Sequence, residues 1–237
     1  MLNLSLFRTT LGATALVAVS LATAPAFAAV EVLNFAGLNG ASEEGPANYY
    51  NGGSGSLGST GGPNYGISFG SDTITCNGQP GGSCNTAEIP GGPGANIVFF
   101  LTGTGDIMDV VGGFTTGFSF DYSAVNSPGS VTVWSGLDGT GTLLATLDLS
   151  TTPNGAGDPN CSGASFCPFS AAGVTFAGTA ESVNFTGTQN QIAFADITLG
   201  SSSAGGTPAV PEPQNVALML AGLGLLGVSA RRRLNRK

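Results

Sequence analysis

The sequence contains no histidine, and its six lysine and arginine residues lie only near the two ends, at Arg8 and from Arg231 onward. Between them there is no cationic side chain. Without histidine or lysine, the Ser-His-Asp, Cys-His and Ser-Lys constellations cannot be assembled there, which removes most hydrolase mechanisms. The stretch offers no positive group to a phosphate, so nucleic acid and phosphorylated ligands are excluded as partners, and its acidity repels anionic lipid. Helical periodicity is also missing from the long middle of the chain.

What is present first is a pair of terminal signals. Residues 1–28 read as a secretory signal peptide: Arg8 supplies the charged start, residues 11–21 the apolar middle, and Ala26-Phe27-Ala28 a small-x-small cleavage box centred on Ala26 and Ala28. A signal peptidase would leave Ala29 as the mature N-terminus. At the other end, residues 216–230 are apolar and uncharged. At about 1.5 Å per helical residue they reach roughly 22 Å, short of a ~30 Å hydrocarbon core, so they predict one short, marginal transmembrane helix. Arg231, Arg232 and Arg233 follow at once and hold the C-terminus in the cytoplasm. Ahead of the run, Pro211-Glu212-Pro213 favours extended backbone outside the membrane, a form that a processing enzyme can read.

The triplet, the short glycine- and leucine-rich run through Gly222, Gly224 and Gly227, and the arginine cluster together resemble the PEP-CTERM sorting signal of Gram-negative bacteria. The resemblance implies recognition at Pro211, Glu212 and Pro213 by an exosortase, a membrane cysteine protease-transpeptidase. It also implies transient anchoring in the inner membrane, release to the cell surface or exterior, and association with exopolysaccharide and biofilm matrix.

Four segments follow: the signal peptide (1–28), a domain (29–200), a Ser/Gly/Pro linker (201–209) that leaves the domain flexible relative to the tail, and the sorting signal (210–237). The domain is large enough for one real core. Its apolar residues alternate over short runs, as at Tyr65, Ile67 and Phe69, at Phe118, Phe120 and Tyr122, at Val131 and Val133, and at Ala145, Leu147 and Leu149. That is the period of half-buried strands. Residues 97–101 are continuously apolar, as in a strand buried on both faces. Gly-Gly-Pro, Ser-Pro-Gly and Asp-Gly clusters separate the runs as turns. Nine or ten strands without helices predict an all-β, antiparallel two-sheet β-sandwich, jelly-roll-like. In the closing run, Asp196 sits between Phe194 and Ile197 and the alternation slips by one, which a β-bulge would explain.

Four cysteines in an exported chain predict disulfides, and local pairing of Cys76 with Cys84 and Cys161 with Cys167 is the simplest of three connectivities. A four-thiolate zinc site would need closer Cys spacing. Residues 53–58 match GxGxxG, but no strand precedes them closely and no helix follows, so a nucleotide reading fails. Nothing in the spacing of Glu43, Glu44, Asp106, Asp109, Asp121 or Asp138 marks a catalytic carboxylate pair, and the chain is read as non-enzymatic. No cofactor is expected beyond a structural calcium, for which Glu43, Glu44 and Asp196 are the ligands to test, since a hard cation takes carboxylate and carbonyl oxygens. For sugar contact the candidates are Tyr49 and Tyr50, which look exposed within a polar stretch, and Trp134, whose parity opposes Val131 and Val133. Packing of these aromatics at a sandwich edge is the competing reading.

Overall fold

A computed structural model describes residues 29–78, 84–103, 105–187 and 189–206. The signal peptide, the triplet at 211–213, the apolar run and the basic cluster lie outside the described residues. Among those described, no helix is long and apolar enough to cross a membrane.

Among the described residues the domain is all-β, with eleven strands: β1 (Glu31–Leu33), β2 (Ile67–Phe69), β3 (Thr73–Cys76), β4 (Ile97–Phe100), β5 (Gly105–Phe114), β6 (Gly117–Ser123), β7 (Gly129–Trp134), β8 (Leu143–Leu149), β9 (Ser170–Thr175), β10 (Ala180–Thr186) and β11 (Ala193–Leu199). They form two antiparallel sheets, one ordered β3-β4-β11-β6-β9 with β1 also paired to β11, the other β2-β5-β10-β7-β8. The long strand β5 is unexpected from the sequence. Its run Gly-Asp-Ile-Met-Asp-Val-Val-Gly-Gly-Phe lacks clean alternation because three glycines and two aspartates break it up, yet Met108 and Val110 still face the core.

Between the sheets, Phe118 and Phe120 of β6 and Phe194 of β11 meet Phe185 of β10, with Phe185 and Phe194 edge-on at 5.0 Å between ring centroids. Edge-on aromatics of this kind add about 0.5–1.5 kcal/mol beyond the burial of their area. A second, smaller cluster lies on the far side of the first sheet, where Cys76, Ile97, Phe99, Ala193 and Ala195 are covered by Ile89, Phe166 and Phe169. This second layer explains why β4 is buried on both faces, as its continuous apolar run predicts. The covering loops are pinned by disulfides Cys76–Cys84 and Cys161–Cys167, both local pairs.

The expected bulge is present: the β6–β11 register shifts between Ala195 and Thr198, and Asp196 adopts φ 53°. The stretch 201–206, expected to be linker, runs instead along the outer face of β6 and β9. Ser119 Oγ donates to the Ser201 carbonyl at 3.0 Å, and the Gly205 amide donates to Thr198 Oγ1 at 3.0 Å. Gly173 makes the approach feasible, since a Cβ there would collide with the Ser202 carbonyl oxygen.

Candidate functional site

The loop after β1 is compact because Glu44 organises it. Its carboxylate is fully buried and accepts four hydrogen bonds, from the Asn39 amide at 2.7 Å, the Leu57 amide at 3.1 Å, the Ser59 amide at 2.9 Å and the Ser59 hydroxyl at 2.6 Å. Burial alone would push this carboxyl up, but the four donors more than offset it and hold the group below its ordinary value. A carboxylate has about four lone-pair sites, and here all are taken. Glu44 is thus a loop organiser and cannot serve as the calcium ligand expected from sequence.

Tyr49 and Tyr50 are corrected in the same way. Both are buried, with the Tyr50 hydroxyl accepting from the Phe35 amide at 2.8 Å and the Tyr49 hydroxyl donating to the Ala36 carbonyl at 3.0 Å. Burial drives the Tyr50 hydroxyl far above its usual range. They stand edge-on at 5.2 Å and close the space beside β1, so neither offers a face to a sugar. Glycine-rich composition suggests exposure, but here the glycines let backbone approach the rings: a Cβ at Gly62 would meet the Tyr49 ring. Trp134 is half-buried on the outer face of the second sheet, and its indole N–H is held by Thr132 Oγ1 at 2.9 Å.

Asp196 is on the outer face of the first sheet, nine-tenths buried at its bulge, next to Asp121 of β6. Burial raises both carboxyls, and the Asp196 charge raises Asp121 further. Glu43 lies elsewhere, on the rim of a cleft. Among the described residues, no three or more His, Cys, Asp or Glu side chains are grouped to hold a metal. The expected trio Glu43, Glu44 and Asp196 is therefore not brought together.

What the sequence does not announce is that cleft, of about 290 Å³. Its floor is the second apolar layer, Ile97 and Phe99 of β4 with Ala193 of β11. One wall is Asn85, Thr86 and Phe166, where Thr86 and Phe166 form a bridge between the two disulfide-pinned loops and the Asn85 side chain bonds Ser165. The opposite wall is Asn126, Asn190 and Gln191. Asn126 Nδ2 donates to Gln191 Oε1 at 2.7 Å, and Gln191 Nε2 donates to the Asn190 carbonyl at 2.8 Å. The cleft is thus an apolar trough edged by carboxamides, with Glu43 its one carboxylate. It can hold a small polar, uncharged ligand by hydrogen bonds over an aromatic base. No local motif marks it, because Asn126 and Gln191 meet only through the pairing of β6 with β11.

Residues 209–233 match the family described as the PEP-CTERM protein-sorting motif. The chain thus carries the signal of an exported, exosortase-sorted protein. Among curated proteins, none matches significantly. Similar solved structures include a glycoside hydrolase family 43 arabinoxylan arabinofuranohydrolase from Bacillus subtilis (19% identity, TM-score 0.32, covering 46% of this chain and 22% of that one). They also include CsCBM6-3 from Clostridium stercorarium in complex with cellobiose (16% identity, TM-score 0.31, covering 47% and 79%) and the K3 adhesin domain of Lys-gingipain from Porphyromonas gingivalis (12% identity, TM-score 0.32, covering 56% and 93%). The chain spans about a fifth of the first of these. Likenesses this distant carry no conclusion about ligand or activity.

Proposed function

We propose that this chain, bearing the PEP-CTERM protein-sorting motif at residues 209–233, is a non-enzymatic protein of the cell surface or extracellular matrix that associates with exopolysaccharide. Signal peptidase removes residues 1–28, the apolar run at 216–230 holds the chain briefly in the inner membrane, and an exosortase cuts near Pro211-Glu212-Pro213. The released domain keeps no cationic side chain, because every lysine and arginine lies in the removed ends. The observation that carries this reading is the motif itself. A domain without histidine, lysine or arginine supports the non-enzymatic part, since it lacks the usual bases and oxyanion cations.

The experiment is replacement of Pro211, Glu212 and Pro213 by alanines in the native host. Accumulation of an unprocessed, membrane-bound form is the expected result, and unchanged processing and location would refute the assignment. Incubating the purified protein with a glycan panel should release no reducing ends. Among the ligands open to such a domain, a polysaccharide is favoured over calcium by the amide-edged cleft and by the saturation of Glu44.

A further inference from the structure

The cleft supports a more specific statement, which rests on the exopolysaccharide reading above. We infer that it is a binding site for a short segment of uncharged polysaccharide, gripped by Asn126, Asn190 and Gln191 over Phe166, with Glu43 turning acidic glycans away.

The hydrogen-bonding capacity of the walls carries the inference. Asn126 spends one amide hydrogen on Gln191 Oε1, which leaves its Oδ1 to accept. Gln191 spends one amide hydrogen on the Asn190 carbonyl, which leaves a second to donate. The exposed Asn190 side chain makes no hydrogen bond among the described residues, while its backbone, at φ 56°, donates its N–H to the Phe100 carbonyl at 2.9 Å. Free donors and acceptors therefore stand together on one wall of the cleft. Vicinal hydroxyls, each both donor and acceptor, match that pattern; a phosphate or carboxylate, acceptor-only, does not. The apolar floor and the half-buried Phe166 ring suit the C–H face of a sugar ring.

Charge narrows the class further. Among the described residues Glu43 is the one acidic side chain in the lining, in a chain of net charge −8. A uronate or sulfate brought beside it would meet like charge with no lysine or arginine to compensate, whereas a hydroxyl would gain a charge-assisted bond. An extended peptide fits less well. Peptides that add to sheets need a free strand edge, and the floor strand β4 is already paired on both sides, to β3 and β11.

The test is affinity electrophoresis of the full mature protein in native gels containing dextran, galactomannan, arabinan, alginate, hyaluronan or gelatin. The wild type should be retarded by at least one neutral glycan and not by alginate, hyaluronan or gelatin. The double variant Asn190→Ala/Gln191→Ala should weaken that retardation about five- to tenfold, the loss of one or two neutral hydrogen bonds. Trp134→Ala, on the opposite sheet, should leave it unchanged. Glu43→Gln should admit alginate. Retention that is lost with Trp134→Ala but survives the double variant overturns the cleft while leaving the exopolysaccharide reading standing. Retention by no glycan, or by gelatin alone, overturns both. A double variant with wild-type melting temperature excludes misfolding as the cause of lost retention.

Discussion

Substituting glutamine for Glu44 tests how the fold is held. The side chain keeps its shape, but one acceptor oxygen becomes a donor. If the new amide nitrogen took the Oε1 position it would face two backbone donors, Leu57 and Ser59; at Oε2 it faces the Asn39 amide and the Ser59 hydroxyl. Only the hydroxyl can turn to accept, so the Oε2 position is preferred and the Asn39 N–H is left against another donor. Hydrogen bonds to a charged acceptor contribute about 1.5–3 kcal/mol each, and a buried orphan costs about 1–3 kcal/mol. Glu44→Gln should therefore destabilise the domain by about 3 kcal/mol, lowering Tm by roughly 6–12 °C for a domain of this size. Glu44→Ala, which removes all four bonds, should cost about 4 kcal/mol or more. Denaturant and thermal melts followed by circular dichroism give the numbers, and limited proteolysis should show earliest cutting between residues 39 and 59. The pH response adds a signature. Glu44 is held below its ordinary 4.5, so its contribution is complete above that value and disappears as the pH falls through its lower folded value. The Gln variant should lose this acid limb. A Glu44→Gln protein within about 0.5 kcal/mol of wild type, with the same acid limb, would refute the argument.

Other outcomes follow from the same structure. Asp121 and Asp196 have raised values, so the folded state binds protons more tightly than the unfolded one. Their penalty is full well above their folded values and eases as the pH falls through them, so their contribution to Tm should rise on acidification through that range, and less so in Asp121→Asn. Purified protein should show no free thiol under denaturing conditions. Loss of either disulfide, closing loops with sequence separations of 8 and 6, should cost about 2–2.5 kcal/mol by loop entropy, measured by denaturant melts of Cys→Ser pairs. Gly173→Val should dislodge the 201–206 stretch, read as new protease cleavage there with the core otherwise protected. Chelator should leave Tm unchanged, because Glu44 already accepts four hydrogen bonds and Glu43 and Asp196 stand at separate places.

Much of this fold is written in short-range pattern. The continuous run of β4, the alternation of β8, and the slipped phase at Asp196 each state a burial geometry that one strand and its neighbours determine. Strand β6, whose alternation predicts a half-buried strand, is instead buried on both faces, with Ser119 beneath the Ser201 carbonyl and Ser123 beside Thr152. Strand β9, Ser-Ala-Ala-Gly-Val-Thr, is illegible because its small side chains give no clear hydrophobic period; at Gly173 that smallness admits the Ser202 carbonyl. Tyr49, Tyr50 and Glu44 misled for a related reason. Polar, glycine-rich sequence correlates with exposure, but glycine also permits close backbone approach, and a buried carboxylate is tolerated where four donors converge on it. The cleft was beyond any local reading, since Asn126 and Gln191 stand 65 residues apart and are joined only by sheet order.

The most direct test of the account is the intact mass of the protein recovered from the surface of its native host. The account predicts a species that begins at Ala29, ends near Pro211-Glu212-Pro213 and contains no lysine, arginine or histidine. A surface species extending to Lys237, or one found only in the cytoplasm, would contradict it.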